Sequence, residues 1–320
     1  MRAVQIGSGQ LSVGEIARPR LRKGHALLKL RLAGICNTDI ELLRGYYGFA
    51  GVPGHEFVAD VVESPEVQWV GKRVVGEINL ACGRCEWCAR KLGRHCPHRT
   101  VLGIVRHPGA FAEYLTLPVE NLRAVPLSIP DEYAVFTEPI AAACEILEQV
   151  RFPQAAAVAV LGDGKLGLLI AQVLQLHGLK VTLFGRNPNK LAIARPLGVK
   201  TVTVDRDNPR LPAAGFAYVV DATGSAAGFA SATRLAAPRG TIIMKSTVAE
   251  KLTIDAAHYI VNEITLVGSR CGRFAPALRL LRSGKLNLAP MITARYSLAD
   301  ATAAFARAES SGALKVLLSP

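Results

Sequence analysis

The sequence predicts an α/β protein, a β-rich domain followed by a doubly wound parallel sheet. Three observations predict it. Near residue 139 the text changes from short apolar runs broken by Gly and Pro to alternating strand and helix patterns. A Gly-rich stretch, Gly162-Asp163-Gly164-Lys165-Leu166-Gly167, stands between the first strand and the first helix of that alternation. Four cysteines, Cys82, Cys85, Cys88 and Cys96, spaced C-x2-C-x2-C-x7-C, interrupt the β-rich half.

In the first half, His25–Leu32, Glu56–Val62, Arg73–Ile78 and Ala110–Leu117 read as strands. Ile40–Leu43 has helical spacing, and Asn37 and Thr38 stand where an N-cap belongs. In the second half, Ala156–Leu161 reads as a strand and Leu166–Leu176 as a helix. Lys180–Phe184 is the next strand and Lys190–Leu197 the next helix. Phe216–Asp221, Thr241–Lys245 and Ile264–Val267 continue the strands, and Ala275–Ser283 is a helix before a last strand, Leu314–Leu318. Such alternation argues for a parallel sheet covered on both faces.

The chain has 320 residues, half of them hydrophobic, which suits one large or two medium domains with a full core. The net charge of +13 would suit a polyanion. The basic residues are spread along the chain, however, and no nucleic-acid module is recognisable, so nucleic acid is not expected as a partner. No apolar run reaches the roughly 20 residues of a membrane span. The first twenty residues lack the apolar centre of a signal peptide. Clustered cysteines suit metal binding in a reducing compartment, so a cytoplasmic protein is expected.

Gly162, Gly164 and Gly167 form a G-x-G-x-x-G motif after a predicted strand. Gly162 permits a tight turn, Gly164 lets a pyrophosphate approach the backbone, and Gly167 lets the helix lie close to the sheet. Lys165 and Leu166 open that helix, whose free N–H groups and dipole favour phosphate. A dinucleotide site is therefore predicted. The next strand ends in Gly185-Arg186-Asn187 without an acid. An acid there would bind the adenosine ribose and repel a 2′-phosphate, whereas a guanidinium suits a phosphate. Gly185, Arg186, Asn187 and Lys190 thus predict NADP in preference to NAD.

The four cysteines can close a tetrahedral shell round zinc and leave no open position, so this ion is structural. The lobe at about residues 80–100 reads as solvated, with Glu86, Trp87, Arg90 and Lys91 between the ligands. Cys36 and His55 stand nineteen residues apart beside Gly-rich turns, and with a dinucleotide site downstream they suggest two ligands of a second zinc.

At this point the sequence resembles the zinc-dependent medium-chain dehydrogenase/reductase family of alcohol and polyol dehydrogenases. The matches run in order: GICNTD, GHE, the four-cysteine lobe, GAFAEYLTLP at Gly109–Pro118, TEPIA at Thr137–Ala141, GDGKLG, and VGS at Val267–Ser269. The resemblance implies a GroES-like β-rich catalytic domain, residues 1–138 and 269–320, around a Rossmann domain, residues 139–268. It implies two zinc ions per chain. The catalytic one would be held by Cys36, His55 and a third ligand matching Glu138, with Glu56 as a possible exchangeable or outer ligand. Cys144 competes with Glu138, and a helix cap is the plainer role for Glu138. Thr38 would hydrogen-bond the substrate oxygen and relay its proton, or simply cap a helix. Glu41 stands where many relatives have a relay His. Tyr46, Tyr47 and Phe49 would wall the substrate pocket, or pack a turn.

The activity implied is hydride transfer between an alcohol, a secondary alcohol or polyol, and NAD(P), with the developing alkoxide stabilised by zinc. The partners implied are a small alcohol or carbonyl substrate and further copies of the chain, a homodimer or homotetramer paired through the edge strand Ile264–Val267. A zinc-free quinone-oxidoreductase-like enzyme and a non-catalytic nucleotide-binding protein are the competing readings. Cys36 and His55 argue against the first, and the Cys36/His55/Glu138 set against the second.

Overall fold

A computed structural model of the chain describes every residue except 206–210, 212–214 and 247–250. Two compact units form. One is Met1–Glu138 with Phe274–Gly284 and Ile292–Pro320, and the other is Pro139–Arg273 with Lys285–Met291.

The first unit is β-rich. Its seven-stranded sheet is built about His25–Gly34, which pairs antiparallel with Glu56–Glu63, Tyr114–Pro118 and Lys315–Ser319. Gly34 stands opposite Glu56 on one side and Leu317 on the other. That register brings three distant stretches of sequence to one end of the strand. The chain then turns into a short helix, Asn37–Leu43. The expected strand over Ala110–Leu117 is shifted to Tyr114–Pro118. The backbone of Phe111 instead bonds to Val4, on strand Arg2–Gly7, and to Pro53.

The second unit is a six-stranded parallel sheet. Its order is Lys200–Thr203, Lys180–Gly185, Ala157–Leu161, Phe216–Asp221, Ala236–Met244, Thr265–Gly268. The order reverses between Ala157–Leu161 and Phe216–Asp221, the point at which such sheets bind ligands beyond their carboxyl ends. Val158, Ala159 and Val160 on the first strand and Leu168, Leu169 and Ile170 on its helix are all fully buried, as a strand and helix covered on both faces require. The helix expected over Lys190–Leu197 is broken into Pro188–Ala192 and a single turn, Arg195–Leu197. Pro196 lacks the N–H that a continuous helix needs.

Candidate active site

Cys36 ends the turn after His25–Gly34 and is the N-cap of helix Asn37–Leu43. Asp39, three residues on and fully buried, folds back so that Oδ2 accepts from the Cys36 N–H at 2.8 Å. Its other oxygen accepts from the Gly54 N–H at 3.2 Å and lies 3.3 Å from His55 Nδ1. One carboxylate thus ties together the two loops that carry Cys36 and His55. The sulfur of Cys36, a nitrogen of His55 and a carboxylate oxygen of Glu56 lie within 4.8 Å of one another. His55 and Glu56 are buried and Cys36 is half-buried.

This trio fits a divalent cation on two grounds. The first is the ring of His55, whose buried Nδ1 faces Asp39 without the alignment of a hydrogen bond. That leaves Nε2 to act as a ligand, with a carboxylate behind the ring to orient it. Burial would push His55 down, but Asp39 outweighs it and holds the ring well above its ordinary value. The second is charge. As metal ligands Cys36 would bind as thiolate and His55 as neutral imidazole, so Cys36, Asp39 and Glu56 would together bring three negative charges against one ammonium, Lys315, which ion-pairs with Glu56. A divalent ion closes that balance, and unbalanced charge at such depth is costly. Burial would push Lys315 down, yet Glu56 holds it above its ordinary value. Its ammonium also stands 5.5 Å from the Phe136 ring centroid.

Thr38 is half-buried, its hydroxyl 3.8 Å from the Cys36 sulfur. It lies inside the helix, because the N-cap is Cys36. Glu41, on the same helix, is held at 2.9 Å by Arg44, which also reaches Glu309. Glu138 sits in the first turn of helix Thr137–Gln149, half-buried. It is outside the Cys36–His55–Glu56 group. Cys144 is buried within that helix. Tyr46 is half-buried and Tyr47 exposed, their rings 4.1 Å apart. Asp39 and Lys315 were not singled out from the sequence. The acid three residues after Cys36 was a usable signal, since that is where a carboxylate caps back on an N-cap N–H.

In the lobe, the sulfurs of Cys82, Cys85, Cys88 and Cys96 all lie within 4.8 Å of one another, with four of their separations at 3.5–3.9 Å. Four sulfurs about 2.3 Å from a zinc ion would be about 3.8 Å apart, so the cluster fits tetrahedral zinc. The backbone N–H of Arg84 draws the Cys82 thiol down to about 6. Cys85 is pushed up to about 11, because burial and the three other thiols outweigh the backbone N–H of Cys88. Four thiolates that repel one another need a cation between them.

In the second unit the Gly-rich loop follows strand Ala157–Leu161, and Gly164 caps helix Lys165–Leu176. Gly167 packs so tightly that a Cβ there would stand 1.9 Å from the Gly162 carbonyl oxygen. A Cβ at Gly164 would meet nothing within 4 Å, which leaves the helix N-terminus open to a pyrophosphate. Lys165 and Leu166 form the first turn of that helix, both half-buried. At the end of the second strand the structure adds an acid from outside it. No residue of the strand supplies an acid, but Asp163 does. Its Oδ2 accepts from the backbone N–H groups of Arg186 at 2.7 Å and Asn187 at 2.6 Å. The Asn187 side chain caps helix Pro188–Ala192, accepting from Asn189 and Lys190. Arg186 is exposed, and Lys190 is half-buried on that helix.

Comparison with known proteins agrees with this geometry. The alcohol dehydrogenase GroES-like domain family matches residues 22–128, and the zinc-binding dehydrogenase family matches residues 166–283. A sorbitol dehydrogenase of Halalkalibacterium halodurans is 30% identical, over 99% of this chain and 97% of the relative. A D-altritol 5-dehydrogenase of Agrobacterium fabrum is 31% identical, over 94% of each. Among solved structures, a zinc-binding dehydrogenase of Sinorhizobium meliloti bound to NADP superposes with a TM-score of 0.89 at 29% identity, covering 100% of this chain and 99% of that one. An alcohol dehydrogenase of Escherichia coli complexed with NADH does so with a TM-score of 0.89 at 27% identity, with the same coverage. The chain belongs to the zinc-binding medium-chain dehydrogenase/reductase family. It is an NAD(P)-dependent oxidoreductase of the zinc type, acting on an alcohol or polyol, with a GroES-like domain and a Rossmann-type parallel sheet. Among the described residues no helix is long and apolar enough to cross a membrane.

Proposed function

We propose that this protein is a dehydrogenase of a polyol or secondary alcohol, with one catalytic and one structural zinc per chain and a preference for NADP(H). The Cys36–His55–Glu56 group carries the reading, because its donors and its charge suit zinc and leave a position for substrate oxygen. The relatives named for sorbitol and D-altritol support a polyol.

When bound, zinc supplies Lewis acidity toward the substrate oxygen. The Thr38 hydroxyl would accept a hydrogen bond from the substrate hydroxyl and pass its own proton on to water as the substrate's proton arrives, and a nicotinamide bound at the Gly-rich loop would supply the hydride acceptor. The products are a carbonyl, NAD(P)H and a proton. Arg44 holds Glu41 at 2.9 Å, which favours a water path over Glu41 as the next station. Asp39 orients His55, and Lys315 holds Glu56. Glu138 is the competing third ligand, and metal content of Glu56→Gln and Glu138→Gln separates the two. Arg186 supports NADP(H), its exposed guanidinium having no partner among the described residues.

The decisive experiment is a panel of polyols and secondary alcohols with both cofactors, read by nicotinamide absorbance. Thr38→Val should lower kcat about 10²-fold or more while Thr38→Ser largely restores it. No turnover with any alcohol would remove the reading.

The same reading includes a homo-oligomer in the cytoplasm. Thr265–Gly268 ends the sheet order, and Leu266, Ile260 and Val261 near it are 40%, 75% and 79% exposed. An open edge beside such residues favours pairing with a second copy. A monomer at micromolar concentration in light scattering would overturn this. Clustered reduced thiols suit the reducing compartment.

A further inference from the structure

The geometry points to Asp163 as the residue that sets the choice between a 2′-hydroxyl and a 2′-phosphate on the cofactor's adenosine ribose. This rests on the dinucleotide reading of the Gly-rich loop and goes beyond it.

Dinucleotide-binding sheets usually carry their ribose-reading acid at the end of the second strand. Here that strand, Lys180–Gly185, ends in a glycine. The missing side chain is what lets another one in. A Cβ at Gly185 would stand 2.6 Å from the Asp163 Cβ and 2.8 Å from its Oδ2, which no real contact permits. The loop is anchored at this spot, since the Gly162 N–H donates to the Phe184 carbonyl at 2.9 Å. Asp163 therefore delivers from the first loop the carboxylate that the second strand lacks.

Its two oxygens have different tasks. Oδ2 accepts from the consecutive N–H groups of Arg186 and Asn187. Such a pair of N–H groups is a ready concavity for an anion. A 2′-phosphate would otherwise use it, but the carboxylate already occupies it. No described residue donates to Oδ1, which remains able to accept from a ribose hydroxyl. A phosphate at this place would meet a like charge, which costs affinity. Arg186, next in the chain, pulls the other way. Asp163 and Arg186 thus form an opposed pair, and Asp163 restrains the preference that Arg186 supplies.

The test is cofactor binding, read by quenching of protein fluorescence or by nucleotide fluorescence, with no substrate present. Wild type, Asp163→Asn and Asp163→Ser are titrated with NADH and NADPH. Asn keeps an oxygen for the two N–H groups and removes only the charge. The expected result is that both substitutions raise the NADPH-to-NADH affinity ratio about tenfold, as loss of one like-charge contact predicts. A ratio unchanged within twofold, or equal weakening of both nucleotides, overturns the inference and leaves only a structural role. A measurement that needs no variant runs beside it. Wild type should bind 2′-deoxy-NADH several-fold more weakly than NADH, and equal binding also overturns the inference. Failure of wild type to bind either nucleotide would instead overturn the dinucleotide reading itself.

Discussion

The ammonium of Lys315 meets the carboxylate of Glu56, two residues 259 positions apart and each 1% exposed. The pair exists because Gly34 aligns Glu56 on one neighbouring strand with Leu317 on the other. Glu56 belongs to the candidate catalytic metal group, so Lys315 governs how much negative charge that group presents.

Lys315→Met should destabilise the metal-free protein by about 3–5 kcal/mol, the cost of leaving one member of a buried pair alone. With zinc bound the loss should be smaller, because the ion answers the stranded carboxylate. Thermal unfolding of metal-free and zinc-saturated protein reads the difference. Equal losses in the two forms would show that Lys315 does not answer to the metal site.

Asp39→Asn should weaken zinc at the catalytic site by about 10–100-fold, the usual effect of removing a carboxylate behind a ligating histidine. Competition with a chromogenic chelator measures it. The lobe zinc should be unaffected, since Asp39 is no part of the four-cysteine group. Loss of both ions together would mean a folding defect.

The two zinc sites should separate by mutation. Cys85→Ser should remove one equivalent and lower the melting temperature, because a structural zinc contributes folding energy directly. His55→Ala should remove the other equivalent and abolish turnover while keeping most of the melting temperature. Elemental analysis of both variants decides it, and a wild type that carries a single zinc after gentle purification counts against the catalytic site.

Asp221, buried at the end of its strand, makes stability depend on pH. Burial raises its carboxyl, and the hydroxyl and N–H of Thr223 only partly draw it back. Between the ordinary value of about 3.9 and its own raised value, the folded state holds a proton that the unfolded state has lost. Stability from this group therefore falls as pH rises through that window. Asp221→Asn should gain on wild type at pH 7 and lose that gain toward pH 4 in urea titrations. A gap independent of pH would remove Asp221 as the cause.

Much of this protein was legible in its sequence, because its signals are local. Cys82, Cys85, Cys88 and Cys96 fall within fifteen residues, and their spacing alone defines a closed metal shell. Gly162, Gly164 and Gly167 follow a strand and open a helix, so a phosphate loop can be read directly. Even the broken helix after Asn187 had its signal in Pro196. What the sequence could not decide is what a charged side chain meets once the chain has folded. Asp39 reads as one acid of a helix, yet it joins the loops of Cys36 and His55. Lys315 reads as one cation in a terminal strand, yet strand register buries it on Glu56. Asp163 reads as filler between two glycines, yet it supplies the carboxylate missing after Gly185. A glycine or a cysteine spacing acts through backbone and covalent geometry, which the local sequence determines by itself. The role of a carboxylate or an ammonium depends on its depth and on the charge beside it, and only the tertiary structure decides both.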